Sequence, residues 1–308
     1  MVERFGAGGQ AMSEPEVHTA IGSVFIDSGA FSLYYGHAYD TATKKQDFSY
    51  FCGPEFKQYL RSYAGFIRKF SHAIDHYASV DVIYHPELSW RSYRFLKDKE
   101  GLDPVPVIHC GESLEYVQRY LDDGCTMIGL GGFGGAEVSK SAYVEWVSGV
   151  FRLLCPASNE HKPIVKVHGF AMTGWKMLTA FPWWSVDSAS WVKATAFGNI
   201  YVPRKLRGEF SFNRAPYAVQ ISDRSSSIKE AGKHFATLRA SEQTEILEWL
   251  DVIGVPFGAK TMEEGPGVGN HYRCRNIANL EYFKRMAEAM PEWPWAWKPT
   301  AYREGFNL

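Results

Sequence analysis

The chain is poorly supplied with the residues that make crosslinks or metal clusters. Its five cysteines, Cys52, Cys110, Cys125, Cys155 and Cys274, are odd in number and scattered, with no CxxC or CxC among them. Number and spacing both count against a disulfide framework and a multi-cysteine zinc site, and most of these thiols are expected to be small buried hydrophobes. Neither sign of charge is in excess, since 33 Lys and Arg face 34 Asp and Glu and the formal net charge is -1. The whole molecule is therefore no polycation, and any grip on nucleic acid has to come from a local basic surface. No apolar run approaches the ~20 residues that cross a bilayer, and the first residues lack the pattern of a secretory signal. The opening MVERFGAGGQAMSEPEVH is polar and Gly-containing and is expected to be frayed. A soluble cytoplasmic protein without internal repeats is the expectation.

What is present is a long chain able to bury a large core: 308 residues, 45% hydrophobic and 15% aromatic. Short apolar runs recur, each ending in small or polar residues and each followed by a helical pattern. The run VFID (24–27) precedes a helix pattern over 55–77, with Phe56, Leu60, Tyr63, Phe66, Ile67, Phe70 and Ile74 at helix spacing. Strands are expected at VDVIYHP (80–86), VPVIHCG (105–111), TMIGLGG (126–132), IVKVHGF (164–170) and WWSVDSAS (183–190). Helices are expected at 113–124, capped by Gly124, at 139–154 and at 175–181. Such alternation over at least six units reads as a parallel sheet with helical crossovers. Because polar residues gather at the strand ends and no GxGxxG follows the first strand, a single-domain (β/α)8 barrel over 1–308 is preferred to a doubly wound sheet.

From about 197 to 245 the alternation weakens into a basic, aromatic-interleaved insertion carrying Arg204, Lys205, Arg207, Arg214, Arg224, Lys229 and Lys233. It is either a solvated face or a phosphate-contacting surface beside the barrel mouth. A helix at 242–251, a strand at 252–258, a Gly-rich loop and a last helix from 276 follow, and the Trp/Pro tail is expected to pack on the exterior. GPGVGN lacks the GK[ST] of a phosphate loop and reads as a flexible loop.

In chain order the strand ends carry Asp27, Ser28 and Gly29; Asp81; His109, Cys110, Gly111 and Glu112; Gly131, Gly132 and Phe133; His168, Gly169 and Phe170; and Asp187 with Ser188. Acids and imidazoles pointing into one mouth are costly unless they bind something polar. Without a metal, paired carboxylates suit proton transfer in a lyase or isomerase, or displacement at an anomeric carbon. A Schiff-base route has only Lys166 on a strand. The bare backbone of GLGG suits a flat ligand lying close to the chain.

DSGAF (27–31), a V-I-x-x-G segment, GLGGF (129–133), HGF and a late VDS resemble, in the same order, the tRNA-guanine transglycosylase superfamily. The resemblance spans roughly 24–190, with an echo in NIANLEYF (276–283). It implies a (β/α)8 barrel that replaces guanine in a nucleic acid with a 7-deazaguanine (preQ0-type) through a covalent Asp-glycosyl intermediate, with no cofactor. It also implies Asp187 as nucleophile, Asp27 as acid/base and Phe31 as the aromatic stacked on the base. Asp81 would read the amide edge of the base and Gly131 and Gly132 would meet it with their backbone, with Ser28, Cys110 and His168 also around it. Cys110 stands where the family has glutamine, and Ala30 where it has glycine. The CxCxxC-plus-His zinc site of the tRNA enzymes has no counterpart here. The zinc-less, DNA-acting branch of phages and bacteria is the nearer likeness, so DNA is the expected partner, gripped by Arg204, Lys205 and Arg207. The alternatives are tRNA as substrate, a barrel lyase or isomerase acting on a small metabolite, and a nucleic-acid-binding barrel without turnover.

Overall fold

The computed structural model describes residues 23–132, 140–172, 174–226, 228, 230–259 and 265–299. The frayed segment expected at 1–18 lies outside them. Phe133, Lys229 and the start of the Gly-rich loop lie outside them as well. The architecture is mixed α/β with parallel sheets, and the chain divides into two compact units, one running to Phe170 and one starting at Ala171. Among the described residues no helix is long and apolar enough to cross a membrane.

In the first unit, β1 (Phe25–Ile26) runs parallel to β2 (His76–Tyr77). Between them lies α1 (Pro54–Lys69), with Pro54 at its first turn, Glu55 near its N-terminus and Arg68 and Lys69 in its last turn, all favourable to the helix ends. Phe56, Leu60, Tyr63, Ala64 and Ile67 form its buried face, packed with Val80, Val82 and Leu88. The helical pattern read over 55–77 is too long. The chain leaves the helix after Lys69, and Asp75 takes the amide of Val24 at 2.7 Å, which fastens the following residues alongside β1. The strand expected at 80–86 is displaced for the same reason. Its ladder is made at 76–78, while Val80 and Val82 are fully buried in irregular backbone, with both the amide and the carbonyl of Val82 bound to Ser89 Oγ.

Next comes α2 (Pro86–Arg94), which the sequence reading did not assign. It has Pro86 at its first turn and His85 Nδ1 accepting the amide of Leu88. The parallel strands β3 (Val107–His109), β4 (Met127–Gly131) and β5 (Lys166–Gly169) follow, in register Val107↔Gly129 and Gly129↔His168. They are linked by α3 (Glu115–Asp122) and α4 (Lys140–Leu154). Gly124, at φ 82°, follows α3 as expected.

The second unit holds α5 (Trp175–Ala180), β6 (Ser185–Val186) and α6 (Ser190–Ala196). The basic segment is antiparallel: β7 (Asn199–Val202) pairs with β10 (Tyr217–Gln220), and β8 (Arg204–Leu206) with β9 (Glu209–Ser211). Arg207 and Gly208, at φ 54° and 91°, form the two-residue turn of the β8–β9 hairpin, where positive φ matches strand twist. Two helices close the unit, α7 (Ala240–Val252) and α8 (Tyr272–Glu288). The strand expected at 252–258 is absent, because α7 runs on to Val252 and Gly254, at φ 66°, turns the chain into a loop. Asn279 of α8, fully buried, accepts the amide of Tyr201 and donates to Trp191, Thr195 and Asn199, tying α8 to α6 and β7. The tail does pack down: Trp297 is buried against Phe181, and the Trp293 indole donates to the Pro182 carbonyl.

Candidate active site

The first unit brings residues of three separate sequence motifs into contact. Beyond β1, Gly29 at φ 75° reverses the chain into a helical turn (Ala30–Leu33), which is why a core strand ends in Asp-Ser-Gly. The turn buries Ser28 but leaves Asp27 exposed. Ser28 Oγ donates to Asp81 Oδ1 at 3.2 Å, and Tyr59 holds the Ser28 carbonyl at 2.8 Å. The other oxygen of Asp81, Oδ2, meets His109 Nε2 at 2.5 Å. Asp81 and His109 are both buried. Burial alone disfavours imidazolium, but the hydrogen bond and charge of Asp81, joined by the charge of Glu112, hold the His109 pKa above its ordinary value. Asp81 and His109 therefore form a buried hydrogen-bonded pair that favours the imidazolium.

Glu112 completes the cluster and was named in the sequence only as one of the strand-end acids. Its Oε2 accepts the His109 amide at 3.0 Å, and its Oε1 has no hydrogen-bond partner among the described residues. Burial pushes its pKa up to about 7, opposed by His109 and reinforced by Asp81. Folded protein thus keeps a proton that the unfolded chain releases near 4.5. Stability is expected to fall as pH rises from 4.5 to about 7, by about 3 kcal/mol at most. Glu112→Gln is expected to remove that fall, measured by urea unfolding at pH 5 and pH 8. An unchanged pH slope in the variant would show that Glu112 is charged throughout.

The two glycines at the end of β4 have a packing reason. A Cβ on Gly131 would lie 2.8 Å from His109 Nδ1, so the strand must be bare for the imidazole to reach Asp81. At Gly132, φ 93° excludes other residues, and a Cβ would lie 2.8 Å from the Cys110 amide. The Cys110 thiol is buried, and burial pushes it up to about 11, so it is neutral at physiological pH. His168 is stacked on Phe25 at 4.5 Å and edge-on to Phe170 at 4.4 Å. Burial, with some help from His76, lowers its pKa to about 4 and leaves it a neutral member of an aromatic cluster. Phe31 is 68% exposed, beside Tyr35 at 4.6 Å, and has a ring face to offer a planar ligand.

In the second unit Asp187 follows β6. Its Oδ1 accepts the amide of Ala171 at 2.6 Å, while its own carbonyl accepts that of Met172 at 2.7 Å. Much of the residue meets solvent, yet the surrounding protein raises its carboxyl above the ordinary aspartate value, with the Ala171 amide pulling the other way. It lines a cleft of about 640 Å³ rich in indole.

The three cations expected to hold phosphate differ in availability. The Arg204 guanidinium lies over the Tyr217 ring at 4.0 Å and donates to the Ala215 carbonyl, and Lys205 pairs with Glu248. Arg207, exposed on the hairpin turn, is the one of the three that projects without such a partner among the described residues. No group of His, Cys, Asp and Glu among the described residues is arranged to hold a metal ion. Three of the five cysteines are buried, Cys274 is half-buried and Cys52 is exposed.

Comparison with family models, with curated proteins and with solved structures finds no match to this chain.

Proposed function

We propose that the protein is a guanine transglycosylase acting on DNA, built on a (β/α)8 barrel and exchanging guanine for a 7-deazaguanine. The observation that supports it best is the convergence of Ser28, Asp81 and His109 at or beyond the C-terminal ends of successive parallel strands, where α/β folds gather their sites. Two of the motifs that resemble the superfamily, DSGAF and V-I-x-x-G, thus meet at Asp81.

In this reading the Asp187 carboxylate attacks C1′ of the target nucleotide and the C1′–N9 bond breaks, releasing guanine, which takes up a proton at N9 from Asp27. The incoming deazaguanine then returns a proton from its own N9 to Asp27 and attacks C1′, displacing Asp187. Two inversions retain the sugar configuration, as in a retaining glycosidase. Phe31 stacks on the base. Asp81 reads its N–H edge, with Ser28 and His109 fixing the carboxylate while each oxygen keeps capacity to accept a further bond. The target base must be flipped or single-stranded, so the flanking phosphates need a grip, and Arg207 is the most available of the three cations to give it.

Incubation with labelled guanine and an equimolar mixture of DNA and tRNA at fixed salt is expected to label DNA. Label in tRNA overturns the DNA assignment, and label in neither overturns the reaction. Binding to DNA should weaken steeply with salt. Arg207→Ala is expected to reduce the log–log salt slope by about 1, as loss of one phosphate contact does. An unchanged slope would move the grip elsewhere.

A further inference from the structure

The cleft beside Asp187 offers more than a nucleophile requires. Trp183, Trp184, Trp191, Trp293 and Trp295 line it, together with an apolar face of α8 on which Leu280, Phe283 and Ala287 recur at helix spacing. At about 640 Å³ it is the size of a small-ligand pocket, which typically spans about 300–1,000 Å³. The indole N–H of Trp183 is already given to the Met177 carbonyl and that of Trp293 to the Pro182 carbonyl, so these two rings have only their surfaces to offer a guest. Among the lining residues described, Asp187 is the one charged side chain.

That combination selects the charge of the guest. A carboxylate at the edge of an indole-lined cleft attracts an opposite charge. Indole faces carry the negative side of the ring quadrupole, and they attract cations more strongly where water is excluded. An anion is repelled by both features, and a neutral guest gains from neither. We propose that this cleft is a binding site for an organic cation, a substituted ammonium with an apolar body, whose charge faces Asp187 and whose body lies on the indoles.

The site does not depend on base exchange. Where base exchange also holds, a bound cation occupies the carboxylate needed for attack and acts as a competitive inhibitor. The test follows tryptophan fluorescence of the full chain during titration with benzyltrimethylammonium, with benzyl alcohol and benzoate as neutral and anionic counterparts. The cation is expected to bind saturably and at least about tenfold more tightly than the alcohol, and benzoate not to bind. Asp187→Asn should cost the cation about that tenfold and leave the alcohol unchanged, while Trp293→Ala should weaken both. Equal affinity for cation and alcohol, or an Asp187→Asn variant that binds the cation as tightly as before, overturns the proposal. Retained alcohol binding in Asp187→Asn shows that the cleft is intact. Cation binding without base exchange leaves this site standing and removes the transferase reading; base exchange without cation binding does the reverse.

Discussion

Asp187→Asn is expected to lower guanine exchange by at least about a thousandfold, because an amide cannot form the glycosyl ester on which both halves of the reaction depend. The substitution is nearly isosteric. The Oδ1 of Asn can still accept the Ala171 amide that Asp187 accepts at 2.6 Å, so the turn after β6 survives. Stability should not suffer either. The folded carboxyl titrates above its unfolded value, so the charged form is the less favoured one in the native state, and its contribution to stability falls as pH rises. Loss of activity with unchanged unfolding therefore separates chemistry from folding. Wild-type protein denatured during turnover should carry a covalent DNA adduct by mass spectrometry, and the variant none. Since the nucleophile must be ionised, exchange should rise with pH through the Asp187 pKa, on an acid limb shifted above the ordinary aspartate range. Wild-type exchange in Asp187→Asn would remove it as nucleophile.

The sequence was most readable where burial and periodicity act together. The runs at 107–109 and 127–131 are buried on both faces, as is 166–169 from Val167 onward, and they pair in parallel as expected. It misled where one long-range bond chose between two acceptable local patterns. Nothing local says that Asp75 will capture the Val24 amide, and that contact ends a helix whose apolar spacing continues to Ile74. The helix at 86–94 was missed because its buried face is half serine, with Ser89 and Ser92 beside Leu88 and Tyr93. At the site, the motifs located Ser28, Asp81 and His109, but not who touches whom. The glycines of GLGG read as a platform for a ligand, and their spacing gave no sign that Gly131 also has to be bare to admit His109. The pairing of Lys205 with Glu248 joins residues 43 positions apart and leaves no local trace, so a basic run looked freer than it is.

The same cluster yields the largest expected change in stability. His109→Leu should destabilise the fold by about 3–5 kcal/mol, the usual cost of stripping one partner from a buried ion pair. Volume cannot account for such a loss, since a swap of similar size in a core usually costs under about 1.5 kcal/mol. What remains is charge. Asp81 is 3% exposed, and without the imidazole its carboxylate would keep only the 3.2 Å bond from Ser28. The His109 pKa is raised in the folded state, so the pair contributes fully below the ordinary imidazole value of about 6.5 and fades as pH rises through the folded pKa. The cost of His109→Leu is thus expected to be greatest at pH 6 and to shrink in alkali. Adding Asp81→Asn removes the stranded charge, so the double variant should recover much of the loss. Urea unfolding of both variants at pH 6 and pH 9 measures this. A single-variant loss under about 1 kcal/mol, or a double variant no more stable than His109→Leu, would mean that Asp81 is not held as a buried charge. The pocket would then lose the fixed carboxylate that base reading requires.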